Sequence, residues 1–215
     1  MSLADLRAGL AVVPQDPFLF STTLRDNIRL QGERSSHTRG EDAELDRSGA
    51  LKQVAAPVAD DPLLTTVLAA ACLDDDLRAL PEGLDTVVGE RGVTLSGGQR
   101  QRTALARALY RHPALLLLDD VLSAVDQGTE MKLVAAIRQL HDAPLPVGQT
   151  RDRSTGPGLP PTTVIVSHRT SVLEHADEIL VLEAGQVVER GTHLSLLAQD
   201  GLYAETHRHQ EASRE

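Results

Sequence analysis

The sequence has no tryptophan, two phenylalanines and two tyrosines, so aromatic residues make up only 2% of it. A core must therefore be built from Leu, Val, Ile and Ala, and a hydrophobic content of 41% permits one of useful size. The single cysteine, Cys72, excludes an internal disulfide. It lies in an apolar helical stretch and is expected as a buried small side chain. Positive charge is short as well: 21 Lys and Arg against 31 Asp and Glu give a formal net charge of -10. That balance argues against nucleic acid, or an anionic membrane surface, as the main partner. No apolar run approaches the ~18 residues that span a bilayer. The opening MSLADLRAGL has no long apolar signal core.

What the chain does have is alternation. Short apolar runs at Leu10 to Val13, Ala114 to Leu118, Thr163 to Val166, Ile179 to Leu182 and Val187 to Val188 predict strands, with helical stretches between most of them. This pattern predicts an α/β domain with a largely parallel sheet. Glu183-Ala184-Gly185-Gln186 predicts a hairpin between the last two strands. From Phe18 to His112 the chain is helical and loop-rich without a convincing strand, as in a helical subdomain inserted into the core. The expected division is residues 1–17 and 113–215 for the α/β core and 18–112 for the helical subdomain. Two polar or Pro- and Gly-rich stretches, Gly32 to Asp61 and His141 to Pro161, exceed ordinary loop lengths and are expected to be mobile insertions.

Four segments carry candidate chemistry. Leu95-Ser96-Gly97-Gly98-Gln99 opens a helix whose apolar face recurs at Ala104, Leu105, Ala108 and Leu109, with Pro113 marking its end. A Ser-Gly-Gly turn at a helix start presents free N–H groups to a phosphate; an ordinary glycine-rich cap is the alternative. Leu115 to Leu118 is a fully apolar strand ending in Asp119-Asp120, acids placed where α/β sheets bind ligands and where Mg²⁺ can be held. Two solvated acids at a strand end would read the same way. His168 ends another apolar strand, as a site residue or a structural one. Gln15 follows the first strand and is a weak signal by itself.

The order and spacing of these segments resemble the ATP-binding domain of the ABC transporter family: Val13-Pro14-Gln15 as Q-loop, Leu95 to Gln99 as signature, Leu115 to Asp120 as Walker B, Ser123-Ala124-Val125-Asp126 as D-loop and Ser167-His168 as H-loop. Pro14 to Phe20 with Thr23 to Ile28, and Val88-Gly89-Glu90-Arg91-Gly92 as X-loop, resemble the exporter branch. The resemblance implies a partial P-loop NTPase sheet with an inserted helical subdomain, and an ATPase using ATP and Mg²⁺. It implies catalytic roles for Asp120, His168 and Gln15, ATP contacts from Ser96, Gly97, Gly98, Gln99 and Asp126, and metal ligation by Asp119 and Gln15. It also implies a transmembrane domain and a second ATP-binding domain as partners, no nucleic acid, and a place on the cytoplasmic face of the cell membrane. Phe18 and Phe20 are either interface anchors toward the membrane domain or core residues of the helical subdomain.

Two departures qualify the resemblance. The family's phosphate-gripping motif, G-x-x-G-x-G-K-[ST], occurs nowhere in the chain, so weak nucleotide binding and no ATPase activity are expected of this polypeptide alone. The stretch Ser2 to Arg7 resembles the interior of an intact domain, which implies a misplaced start or a fragment edge at Met1. The second departure is Asp120, where the family usually has Glu. A heterodimer is then expected, in which this chain has the weak site and its signature completes the partner's strong one. The competing readings are a soluble ABC ATPase of DNA repair or translation, and a non-catalytic remnant.

Overall fold

The structure is a computed structural model and describes residues 2–30, 61–89, 93–123, 125–142 and 162–212. Glu90 to Gly92 of the X-loop, Ala124 of the D-loop and nearly all of the two long insertions lie outside the described residues. The chain runs α1 (Leu3–Gly9), β1 (Leu10–Val13), α2 (Leu24–Arg29), α3 (Pro62–Ala70), α4 (Asp74–Ala79), a short 3-10 turn, α5 (Gly97–Tyr110), β2 (Leu115–Asp119), α6 (Gln127–Asp142), β3 (Thr162–Val166), α7 (Thr170–Leu173), β4 (Ile179–Glu183), β5 (Gln186–Gly191), α8 (His193–Gln199) and α9 (Leu202–Ala212).

β1, β2 and β3 form a parallel sheet in that order, with Val13 opposite Leu118 and Leu118 opposite Ile165. Side chains alternate across the pleat. Ala11, Val13, Leu116 and Leu118 face one side and are buried, in a core that runs on into Leu105, Ala108 and Leu109 of α5. On the other face Val12 and Val164, aligned through Leu117, are 51% and 45% exposed, and Val166 is 59% exposed. The sheet is therefore well covered on one face only among the described residues. The helices between β1 and β2 share the main core, with α5 packed against β1, α2 and α3.

β4 and β5 pair with each other as an antiparallel hairpin. Its turn places Ala184 and Gly185 at φ 48° and 78°, the two left-handed positions of the tight turn that matches strand twist. A second, smaller core of Ile179, Leu196 and Tyr203 joins this hairpin to α8 and α9.

Two expectations need correction. Cys72 is half-buried and not helical: it has φ 52° just past α3. Its N–H donates to the Ala69 carbonyl and the Leu73 N–H to that of Leu68, the paired bonds of a Schellman termination in which glycine is usual. The second correction is at the end of the first insertion. Asp61 caps α3 by accepting from the Leu64 N–H, and also accepts from Arg29 and Tyr110.

Candidate functional site

The parallel strands end side by side, and the residues after them meet. Gln15 follows β1, Asp120 follows β2 and His168 follows β3. The Gln15 side-chain amide donates to Asp120 Oδ2 at 3.3 Å, and His168 Nδ1 lies 3.1 Å from Asp120 Oδ1. The latter is a close approach without hydrogen-bond alignment, because Asp120 Oδ1 is buried and accepts no hydrogen bond. His168 is open to solvent, its side chain 69% exposed against 17% for Asp120.

Asp120 is held in a left-handed conformation, φ 48°, which costs a residue other than glycine roughly 1–2 kcal/mol. Its backbone is fixed on both sides. Its N–H donates to the Val166 carbonyl, and its own carbonyl accepts from the Ser123 N–H and hydroxyl. The strain stays because neighbouring strands enforce it, a pattern that concentrates at functional sites.

The donor set suits a hard cation. The exposed Asp119 carboxylate and the Gln15 side-chain carbonyl are both oxygen donors at one sheet edge. Mg²⁺ is bound by one or two carboxylates with water and phosphate oxygens completing the octahedron, so these residues fit it.

The signature segment forms a separate station. Ser96 and Gln99 make a reciprocal capping box at the start of α5: Ser96 Oγ accepts from the Gln99 N–H, and Gln99 Oε1 from the Ser96 N–H. Of the orphan amides of a helix start, this leaves those of Gly97 and Gly98 open. Gln99 and Arg102 both donate to Asp76, tying the turn to α4. No hydrogen bond or ion pair among the described residues joins Ser96 to Gln99 with the Asp120 cluster. Asp126 stands apart as well. It caps α6, accepting from the Thr129 hydroxyl and N–H, and these bonds, the hydroxyl's first, hold its carboxyl below the usual range.

Several positioning residues carry no motif. Buried Gln101 donates to the Gln15 carbonyl at 3.0 Å and so ties α5 to the edge site. Arg169 reaches buried Glu130 and the Ser123 carbonyl, locking the His168 segment to the start of α6. Gln210 of α9 donates to the His168 carbonyl at 2.6 Å. Arg107 donates to the Phe18 carbonyl and to both carbonyl oxygens of Asn27, and burial lowers its pKa. Phe18 and Phe20 are 70% and 47% exposed, in edge-to-face contact at 5.0 Å. They are not core residues.

A parallel sheet with polar groups gathered at its carboxyl edge defines an α/β ligand-binding domain. The ABC transporter family model matches residues 1–123. The chain is 39% identical over 97% of its length to a probable multidrug resistance ABC transporter ATP-binding/permease protein, YheI of Bacillus subtilis, and covers 29% of that protein. It is 39% identical over 99% of its length to an ATP-dependent lipid A-core flippase of Cupriavidus metallidurans and covers 30% of it. Among solved structures, a bacterial Atm1-family ABC exporter with ATP bound matches with a TM-score of 0.69 and 35% identity, over 97% of this chain and 30% of that one. The chain belongs to the ABC transporter family, with the α/β fold of its ATP-binding domain and helices inserted between β1 and β2. It spans about three tenths of the length of the relatives it matches.

Proposed function

We propose that the chain is an ATP-binding and ATP-hydrolysing part of an ABC exporter, working at the cytoplasmic face of the membrane with a transmembrane domain and a second ATP-binding domain. The observation that carries this is the meeting of Gln15, Asp120 and His168 at the carboxyl edge of the sheet. The relatives' names as ATP-binding/permease protein and flippase support the exporter reading. Residues 1–17 and 113–215 form the α/β core in this proposal and 18–112 the helical subdomain.

Phosphoryl transfer asks for positioning and electrostatics more than for covalent chemistry. Asp120, held between Gln15 and His168, is the carboxylate that would accept a proton from an attacking water or orient it. Exposed His168 is free to turn toward a terminal phosphate while its backbone stays tied to Gln210. Gln15 holds the Asp120 carboxylate and offers a carbonyl to the cation held by Asp119. When bound, Mg²⁺ neutralises charge on the phosphate oxygens. The open Gly97 and Gly98 amides serve the nucleotide carried by the second domain. The exposed Phe18 and Phe20 serve as anchors toward the membrane domain.

The 215 residues contain no Gly-rich phosphate loop with its lysine, so this chain alone holds nucleotide weakly. Calorimetry with Mg-ATP on the folded chain is expected to give no micromolar binding. In a complete exporter built around this chain, a structure with Mg-ATP is expected to put the His168 ring against the terminal phosphate. A ring turned away from that phosphate would remove His168 from the mechanism.

A further inference from the structure

Outside the edge site, three potential metal ligands converge from three elements of the C-terminal region. Glu174 directly follows α7, His193 opens α8 and His207 lies in α9. One nitrogen of each imidazole and one Glu174 oxygen all lie within 4.8 Å of one another, and all three residues are half-buried. Zn²⁺ with nitrogen and oxygen ligands at about 2.0–2.2 Å sets tetrahedral ligands about 3.4 Å apart, a closure within reach of side-chain rotation.

Hydrogen bonds around the cluster engage Nδ1 of each imidazole. Gln210 donates its amide to the His168 carbonyl, so its carbonyl Oε1 is the acceptor for both the N–H and the hydroxyl of Thr170. The single Thr170 hydroxyl proton is thereby used. Its oxygen, 3.0 Å from His207 Nδ1, accepts from that nitrogen, which leaves the His207 Nε2 lone pair outward. His193 Nδ1 lies 2.9 Å from the Tyr203 hydroxyl. An imidazole held at Nδ1 by a hydrogen-bonding partner and free at Nε2 is the arrangement found around metal-ligating histidines.

We infer that Glu174, His193 and His207 form a binding site for a borderline divalent cation of the Zn²⁺ class, with water as the fourth ligand. Two imidazoles and one carboxylate suit Zn²⁺ over Mg²⁺ or Ca²⁺, which take all-oxygen sets. The ion joins α7, α8 and α9 at the back of the segment whose other end carries His168. It thereby reinforces the Gln210 tie with three coordinate bonds.

The test is calorimetric titration of the 215-residue chain with Zn²⁺, with Co²⁺ as a spectroscopic stand-in. One-to-one saturable binding is expected, with visible d–d absorption from Co²⁺ in a site of low coordination number. Glu174→Gln keeps the shape of the side chain and His207→Gln changes a half-buried helix position. Each is expected to weaken binding by at least about tenfold, the loss that even an outer-shell partner's removal causes. His209→Gln, in the exposed pair with Glu205, is expected to bind as the parent does, as is Cys72→Ser. Circular dichroism establishes that each variant is folded, and the two ligand variants sit on different elements, so one unfolded variant leaves the other decisive. No saturable binding by the parent, binding unchanged in a folded ligand variant, or binding lost with Cys72→Ser would each overturn the inference.

Discussion

At the residue scale the proposed function turns on Asp120. Its carboxylate is one methylene shorter than that of the glutamate usual in the family, and a displacement of about 1 Å can cost on the order of a hundredfold in rate. In a heterodimeric exporter Asp120→Ala is therefore expected to lower steady-state ATPase little, whereas Ser96→Ala or Gly97→Val lowers it strongly. Ser96→Ala removes a hydroxyl donor to the transferring phosphoryl group, a loss on the order of 3 kcal/mol in comparable sites, and Gly97→Val keeps its N–H but sets a branched side chain where the phosphate must approach the backbone. Near-complete loss with Asp120→Ala would instead point to a homodimer. A second residue effect is set by pH. Buried Arg25 is paired through two nitrogens with Asp85, and that pairing holds the Asp85 carboxyl below the usual carboxylate range. A depressed folded pKa contributes stability that is present above the unfolded value, about 3.9, and is lost as pH falls through the folded one. Asp85→Asn is thus expected to lower the urea midpoint at neutral pH, with the gap closing below about pH 4; a gap independent of pH would rule the pairing out as its cause. Each member of the edge trio follows an apolar strand, but Gln15 and His168 were weak signals alone and were singled out by the order of the segments, which resembles the family's. The residues that hold the trio were not legible. Gln101 meets Gln15 across 86 positions, Arg169 meets Glu130 across 39 and Gln210 meets His168 across 42. Polar side chains at ordinary helix positions carry no local mark of a distant partner.

At the scale of elements, apolar runs located four strands to within one residue and found only the start of β5, which runs on to Gly191, and the Ala-Gly turn of the last hairpin showed in its composition. Helix ends were harder. Pro113 marked the end of α5, but the left-handed residue that closes it is His112, φ 48°, whose N–H donates to the Leu109 carbonyl. Cys72 does the same after α3, and Cys does not signal this conformation while His does so only weakly beside Gly or Asn. His112 is exposed, so His112→Gly removes the left-handed strain at the loss of only part of a side chain's contacts. It is expected to raise stability by about 0.5–1 kcal/mol, read as a higher urea midpoint at unchanged slope. Gly89 is the opposite case. At φ 101° an added Cβ would meet Ser21 Oγ at 2.9 Å and Cα at 3.1 Å. Gly89→Ala is expected to cost about 1–3 kcal/mol, and a melting curve matching the parent's would show that the turn has room to relax.

At the scale of the whole molecule, the sheet's two faces differ. Parallel sheets are normally covered on both, yet Val12, Val164 and Val166 lie bare, and Leu180, Leu182 and Val187 add exposed apolar surface on the hairpin. The 215-residue chain is expected to bind the dye ANS and to self-associate as concentration rises, seen by sedimentation velocity; a dye-silent monomer melting above ~60 °C, beyond most mesophilic domains, would contradict this. The division into a main core and a small C-terminal core was not legible, because Ile179, Leu196 and Tyr203 come together only through the hairpin's packing on α8 and α9. It has an optical consequence. With no tryptophan, emission excited in the tyrosine band, where phenylalanine does not absorb, comes from Tyr110 and Tyr203. Tyr110 packs against the main core with its hydroxyl on Asp61, and Tyr203 is buried in the small core with its hydroxyl on His193. Each core thus carries its own single fluorophore. Tyr110→Phe leaves a chain that glows only from the C-terminal core and Tyr203→Phe one that glows only from the main core, so the two can be watched melting separately without attaching any label.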